Sequence, residues 1–355
     1  MDTSSQRKIL RVSPACESPA CEISQLAGEI TAALVGDGPT LGFGEISSEY
    51  APSNAAVAIG TSGTTGAAKE VLLTSTALIS SARASNKFIG AKSGEIWSLL
   101  LPLTHVAAVN VIVRSMELGT TPIDLRNFEG EYPKADYTAI VPTQLFRALN
   151  GDRYLLNHLQ SAKAVLVGGA ALSQTLRKQA ELAGVKIVTT YGMTETCGGC
   201  VYDGTPLEGV QIEIRAGTIC IKGPVLASSI SLADGWFETN DLGQYENGQL
   251  VVIGRSDDVI ISGGENLSLN AVEDSLGAAF PDTQFAAFAV EDPQWGQSLQ
   301  VAVVGTISDD QITAHLEKDL GGFAKPKGIH RMSSLPLLGI GKIDRKSLAK
   351  GVANE

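Results

Sequence analysis

The chain is poor in cysteine, and what it has does not pair up. Cys16, Cys21, Cys197, Cys200 and Cys220 are five in 355 residues, an odd and sparse set that argues against a disulfide framework. Cys197-Gly-Gly-Cys200 is a lone CxxC, and the four histidines are scattered. A zinc site needs a second ligand pair that is missing here, and a redox centre is the lesser alternative, so reduced thiols in a glycine-rich loop are expected. Basic charge is also short. Lys and Arg number 27 against 38 Asp and Glu, a formal net charge of −11, which disfavours nonspecific binding to nucleic acid or anionic membrane. No apolar run approaches the roughly 18 residues of a membrane span, and no basic-then-apolar signal pattern opens the chain. A cytoplasmic protein is the expectation. Internal repeats and low-complexity tracts are lacking too. What remains, 44% hydrophobic and 18% charged residues, is ordinary globular composition, long enough for two domains.

The stretch that organises the rest is Ile59-Gly60-Thr61-Ser62-Gly63-Thr64-Thr65-Gly66-Ala67-Ala68-Lys69. It follows an apolar run from Ala55 that reads as a short buried strand. Its glycines let the backbone come close to a ligand. Hydroxyls on Thr61, Ser62, Thr64 and Thr65, backbone N–H groups and the Lys69 ammonium suit a polyphosphate. A flexible turn is the plain alternative. The Gly66-Ala-Ala-Lys69 ending excludes a Walker A loop.

Residues 1 to about 20 read as poorly ordered. Ile23 to Val35 has helical periodicity and stops at Gly36. Helices are expected over Thr74–Phe88, from Pro142 to about Leu149, and from a Ser173 cap to Ala183, and an apolar segment runs from His105 to about Leu118. Strands are expected over Ile96–Leu101, Thr138–Val141, Ala164–Val167 and Val185–Thr190. Alternating strands and helices imply a largely parallel sheet covered on both faces. Past about residue 205, short strands at Val210–Ile214, Thr218–Lys222 and Gln249–Gly254 follow, the last after an Asn247-Gly248 hairpin turn. From Val259 the expected order is strand, helix, strand, strand, helix, strand. Asn270 is the expected cap of the first helix and Ser308-Asp-Asp-Gln311 the capping box of the second.

Several polar groups fall where open α/β sheets bind ligands. Tyr191-Gly192-Met193-Thr194-Glu195 is expected just past the end of a parallel strand. Thr194 offers a hydroxyl and Glu195 a hard oxygen ligand for Mg²⁺, although a solvent-facing turn has the same composition. Asp241, in Thr239-Asn240-Asp241, could accept two ribose hydroxyls. Arg255-Ser256-Asp257-Asp258 and Gly263-Gly264-Glu265-Asn266 flank the join of the two parts, and Gly339-Ile-Gly-Lys342-Ile-Asp-Arg345 puts one lysine in a loop.

These five motifs, in this order from Thr61 to Arg345, resemble the adenylate-forming acyl-CoA ligase superfamily. The resemblance implies an α/β chain: a large N-terminal domain over 1–255, with a mostly parallel sheet plus short β-strands, and a small mobile α+β domain over 257–355, with Asp257 at the hinge. It implies activation of a carboxylic acid by ATP to an acyl-adenylate, then transfer to a thiol, usually coenzyme A. Thr61, Ser62, Gly63, Thr64, Thr65, Gly66 and Lys69 would hold the β- and γ-phosphates. Thr194 and Glu195 would meet the α-phosphate and Mg²⁺. Asp241 and Arg255 would hold the ribose, and Gly169, Ala170, Ala171 and Tyr191 the adenine. Lys342 would be the adenylation lysine, and Gly263 and Gly264 would line the pantetheine tunnel. His105 matches a position beside the acyl site, although a lone histidine is commonly structural. Val106, Asn110, Gly168 and Thr190 complete the candidate acid pocket.

Three departures stand out. The phosphate loop ends Ala68-Lys69-Glu70, which sets a negative charge beside the expected phosphates. Asn240 stands where the family has glycine. The phosphate loop also begins near residue 61, whereas full-length relatives carry about a hundred more residues before it, so an N-terminal subdomain is expected to be largely missing. That short form resembles actinobacterial o-succinylbenzoate–CoA ligases of menaquinone biosynthesis. Another aryl or short-chain acid–CoA ligase, a stand-alone adenylation enzyme loading a carrier protein, and a catalytically dead nucleotide-binding protein are the alternatives.

Overall fold

The structure, a computed structural model, describes residues 6–12, 23–61, 69–262, 265–281, 283–292, 296–338 and 342–353. Two compact units divide the chain: Met1–Gly169, Ala180–Glu213 and Cys220–Glu238 form the first, and Ala170–Gln179, Ile214–Ile219 and Thr239–Glu355 the second.

The first unit begins with β1 (Gln6–Arg11), α1 (Ile23–Val35), β2 (Thr40–Phe43), β3 (Tyr50–Pro52), β4 (Ala55–Thr61) and β5 (Lys69–Thr74). Their sheet runs in the order β3-β1-β2-β4-β5. Ala55 to Ile59 are all buried, which is why this strand reads as a continuous apolar run. β1 corrects the expectation of a poorly ordered start. Its side chains are mostly exposed, so no apolar alternation marks it. Arginine hydrogen bonds tie it down instead: Arg7 Nε donates to the Gly38 carbonyl at 3.0 Å and Nη1 to Ala33 at 3.1 Å, and Arg11 Nε donates to Ile46 at 2.9 Å.

Next come α2 (Ser75–Phe88), β6 (Trp97–Leu99), α3 (Val106–Glu117), β7 (Ile123–Asp124), β8 (Tyr137–Ile140), α4 (Pro142–Leu149), α5 (Arg153–Ser161), β9 (Ala164–Val167), α6 (Gln174–Leu182), β10 (Ile187–Met193), β11 (Gly198–Tyr202) and β12 (Thr205–Pro206). The second sheet has the order β12-β11-β10-β9-β8-β6-β7. It is parallel from β10 through to β7 and antiparallel at β10–β11–β12. α3 is buried almost all round, Asn110 and Arg114 included. Local signals place the helix ends well: Thr74 accepts from the Ala77 N–H to cap α2, and Gly36 takes φ +92° where α1 stops, a left-handed conformation that glycine adopts without steric cost.

Beyond β12 come β13 (Gln211–Arg215), β14 (Thr218–Lys222) and β15 (Phe237–Glu246), each divided between the two units, and then, in the second unit, β16 (Gln249–Arg255), β17 (Val259–Ser262), β18 (Glu265–Ser268), α7 (Leu269–Ala279), β19 (Gln284–Asp292), β20 (Gly296–Val304), α8 (Asp309–Asp319), β21 (Gly328–Arg331), β22 (Leu337–Leu338), β23 (Lys342–Ile343) and α9 (Arg345–Ala353). Within it, β15 and β16 form a hairpin closed by Asn247 and Gly248, both at positive φ, the type I′ geometry that Asn-Gly favours. A further sheet pairs β18-β17-β20-β19, with β21 on β20. On one face, Leu267, Val272, Leu276, Leu299, Val301 and Leu316 bring α7 and α8 onto the strands; on the other, Leu348 of α9 packs with Phe288.

From Val259 this order differs from the expected one by three added strands, β18, β22 and β23, and by the C-terminal helix α9. Val259–Ser262 and Glu265–Ser268 pair antiparallel as β17 and β18. Ser268, not Asn270, caps α7, accepting from the Ala271 N–H at 3.3 Å. Asn270 lies inside the helix. The Ser308/Gln311 capping box on α8 is present as expected.

Candidate active site

In the first unit, the groups singled out from the sequence gather at the C-terminal ends of the parallel strands. β9 runs into Gly168 and Gly169, and the chain beyond β6 reaches His105, the residue before α3. A β-carbon at Gly168 would lie 2.1 Å from the Thr190 Oγ1, and one at Gly199 would lie 3.1 Å from the Thr190 Cβ. Thr190 therefore sits between two backbones that only glycine permits. Val106 is buried at the start of α3, and the His105 Nδ1 is 2.9 Å from the Thr104 hydroxyl. Asn110 is wholly buried, and its Nδ2 donates to the Cys197 carbonyl.

The Tyr191–Glu195 segment is placed differently from its expectation. Tyr191, Gly192 and Met193 are still within β10, because the strand exchanges its parallel partner β9 for the antiparallel β11 after Thr189. The chain then turns through one 3₁₀ turn, Thr194–Thr196. Glu195 projects from it with 18% of its side chain exposed, and Lys69 Nζ lies 3.2 Å from its Oε1. An exposed pair of this kind contributes little to stability. It sets an ammonium and a carboxylate side by side at a strand end, a donor set suited to phosphate oxygens and a hard cation.

Glu70, the adjacent residue of β5, points elsewhere. Successive strand residues face opposite sides, and the Glu70 Oε1 accepts from Ser47 N at 2.6 Å, Ser47 Oγ at 2.7 Å and Ser48 N at 3.0 Å. Burial works to raise its pKa, but these hydrogen bonds outweigh it and hold the carboxyl at about 2. Its charge is spent on the Ser47–Ser48 turn. Thr61 and Lys69 are cross-strand partners, and the Thr61 hydroxyl donates to the Lys69 carbonyl at 3.0 Å, closing the neck of the loop. Ser62, Gly63, Thr64, Thr65 and Gly66 lie outside the described residues, as do Gly263 and Gly264.

The CxxC pair straddles a turn and a strand. Cys197 takes a left-handed conformation after the 3₁₀ turn, Cys200 lies in β11, and both are fully buried. Burial pushes both thiols up, Cys200 to about 12, so they stay protonated at neutral pH.

In the second unit, Asp241 and Arg255 face each other across the β15–β16 hairpin, Oδ1 to Nη1 3.8 Å. Asp241 is 8% exposed, and its N–H donates to Thr239 Oγ1 at 3.0 Å. Asn240 occupies a regular, exposed strand position where no glycine conformation is required. Ala170 and Ala171 are exposed ahead of α6. Asp257 is in the 3₁₀ turn Ser256–Asp258 that joins β16 to β17, and Lys342 opens β23, paired in register with Leu338.

One residue escaped the sequence reading. Arg114 is 4% exposed on α3, one turn after Asn110. Its Nη2 donates to the Tyr202 hydroxyl at 3.0 Å and its guanidinium lies 5.2 Å from the Trp97 ring centroid. Its Nε is buried without a partner, and no carboxylate pairs with it among the described residues. The signal was present: Asn110 and Arg114, four apart in a largely apolar helix, share one face.

The chain belongs to the AMP-binding enzyme family, whose model matches residues 6–256. Among its members it is similar to a probable 2-succinylbenzoate–CoA ligase of Mycobacterium tuberculosis, 36% identical over 338 residues, which cover 86% of this chain and 87% of that one. It is 31% identical to the 2-succinylbenzoate–CoA ligase of Lactococcus lactis over 332 residues, 85% of this chain and 72% of that one. The o-succinylbenzoate coenzyme A synthetase (MenE) of Bacillus subtilis, solved in complex with ATP and magnesium ion, shares its fold with a TM-score of 0.72 at 24% identity, over 91% of this chain and 82% of that one. No helix among the described residues is long and apolar enough to cross a membrane.

Proposed function

We propose that the protein is an ATP-dependent, AMP-forming acid–CoA ligase acting on o-succinylbenzoate in the cytoplasm, in menaquinone biosynthesis. The observation that carries the choice of acid is the 36% identity to the Mycobacterium tuberculosis relative, which runs through nearly the whole of both chains. The acid's carboxylate attacks the α-phosphorus of ATP and pyrophosphate leaves; the thiol of coenzyme A then attacks the acyl carbon and AMP leaves.

The residue roles follow the family pattern on the geometry above. Lys69, Thr61 and the hydroxyls of Ser62, Thr64 and Thr65, with the backbone of Gly63 and Gly66, bind the β- and γ-phosphates. Thr194 binds the α-phosphate. Glu195, whose half-buried carboxylate fits a hard cation, holds Mg²⁺, which when bound neutralises charge on the phosphates. Asp241 and Arg255 hold the ribose, and Gly169, Ala170, Ala171 and Tyr191 the adenine. Lys342 bonds the reacting carboxylate and phosphate, and Gly263 and Gly264 line the pantetheine path. The boundary near 256–257 is the hinge between a domain over 1–255 and one over 257–355, with Asp257 in it.

His105, Val106, Gly168 and Thr190 line the acid site. The acid carries a second carboxylate, and a buried carboxylate needs a hydrogen-bonding or cationic partner. Arg114, a buried cation with an open N–H and no described acidic partner, supplies it. The assay is pyrophosphate release with o-succinylbenzoate, run with and without coenzyme A and with EDTA. Release that requires Mg²⁺, and thioester that forms only with coenzyme A, support the reading. Unchanged release in EDTA, or in Glu195→Ala, removes it.

A further inference from the structure

The Thr194–Glu195 turn is held from behind by two helices. The Cys197 carbonyl accepts from the Asn110 Nδ2 on α3 and from the Ser81 Oγ on α2, the latter at 3.0 Å. Both donors are 0% exposed. A carbonyl only accepts, so the amide must present its nitrogen there; its Oδ1 is left buried without a partner. The carbonyl belongs to a residue at φ 51° whose N–H bonds back to the Thr194 carbonyl at 3.1 Å. Around it, Met193 N donates to the Thr196 Oγ1 at 2.9 Å, that hydroxyl donates to the Gly198 carbonyl at 2.7 Å, and Ala227 N donates to the Glu195 carbonyl at 2.8 Å. Six backbone groups around Glu195 are thus fixed, and the left-handed Cys197 is the one unfavourable conformation among them. The Asn110–Ser81 bracket acts at that point.

We infer that Asn110, with Ser81, is a positioning residue for Glu195: the bracket holds the Cys197 carbonyl so that the turn keeps the Glu195 carboxylate beside Lys69. Asn110 then acts through the turn and does not touch the acid, which revises its expected place in the acid pocket. The inference rests on the reading of Glu195 as the Mg²⁺ ligand.

The test is Asn110→Ala, Ser81→Ala and Ser81→Thr in the full-length protein, with pyrophosphate release followed over a Mg²⁺ series and thioester formation followed from supplied acyl-adenylate. A displaced catalytic group loses about ten- to a hundredfold in rate. Asn110→Ala should lose that much in pyrophosphate release and need several-fold more Mg²⁺ for half-maximal rate. Thioester formation from the adenylate should stay within about twofold. Ser81→Ala should show the same pattern more weakly, and Ser81→Thr, which keeps the hydroxyl, should restore it. If Asn110→Ala does not fold, the Ser81 pair decides alone. An unchanged Mg²⁺ midpoint, an equal loss in both steps, or a higher KM for the acid alone would each overturn the inference. Wild-type protein that needs no Mg²⁺ would instead remove the reading of Glu195, and the inference with it.

Discussion

Gly192 is the residue whose replacement tests the geometry of the Thr194–Glu195 turn most sharply. It has no positive φ, so its need for glycine comes from space alone. A β-carbon there would lie 2.0 Å from the Gly198 carbonyl oxygen, and 2.7 Å from both the Gly198 carbonyl carbon and the Gly199 Cα. Ordinary contact begins at 3.4 Å, so Gly192→Ala requires a displacement of about 1.4 Å. The obstacle is backbone, not the free end of a side chain. Gly198 is itself held by Thr196 and follows the bracketed Cys197. Overpacking of this kind costs about 1–3 kcal/mol, here near the upper end, which lowers Tm by roughly 5–10 °C in a domain of this size. The turn must move by about 1 Å, which can cost about a hundredfold in rate. The assay pairs a thermal melt with pyrophosphate release. Gly28→Ala is the control: nothing lies within 4 Å of its added carbon, it is inside α1, and the exchange should stabilise by up to about 1 kcal/mol. Gly192→Ala with wild-type Tm and activity would refute the reasoning.

Lys342→Ala should lose about 10²–10³ in acyl-adenylate formation and remain near normal in thioester formation from supplied adenylate; equal loss in both steps would count against a lysine specific to the first. Arg114→Met should lower kcat/KM for o-succinylbenzoate by about 10²-fold or more while changing that for 4-phenyl-4-oxobutanoate, which lacks the ring carboxylate, by much less; parallel losses would make Arg114 a structural residue. In the second unit, burial raises the Glu273 carboxyl to about 7, against the lowering effect of Arg345 at 3.0 Å. Its folded pKa exceeds its unfolded one near 4.5, so the folded state binds more protons between them, and this group's contribution to stability is complete below about 4.5 and lost as pH rises through 7. Denaturant melts from pH 4.5 to 7.5 should show that slope, and Glu273→Gln should flatten it.

What could be read from the sequence was what is local. The capping box of α8, the stop at Gly36 and the Asn247-Gly248 turn each depend on residues within one turn of one another, and the structure has them where the spacing put them. The order of motifs identified the family because each motif is a short stretch with its own chemistry. What escaped depends on partners far along the chain. β1 is held by arginines reaching carbonyls 26 to 35 residues away, a contact no periodicity records. β10 runs past its parallel partner only because β11 returns beside it. The direction of Glu70 is set by pleat and by Ser47 and Ser48, so its charge, alarming in the sequence, is satisfied away from Lys69. Asn110 was visible as a polar residue in a largely apolar helix, but its partner, the Cys197 carbonyl, lies 87 residues on.

The central claim is that this chain activates o-succinylbenzoate, and kcat/KM for coenzyme A-dependent AMP formation tests it directly. Measured for o-succinylbenzoate, 4-phenyl-4-oxobutanoate, benzoate, acetate and a medium-chain fatty acid, the constant should be highest for o-succinylbenzoate. A site that pairs a buried group with the ring carboxylate can discriminate by up to about 10⁴ against the analogue that lacks it. Any of the other four acids exceeding o-succinylbenzoate would contradict the account.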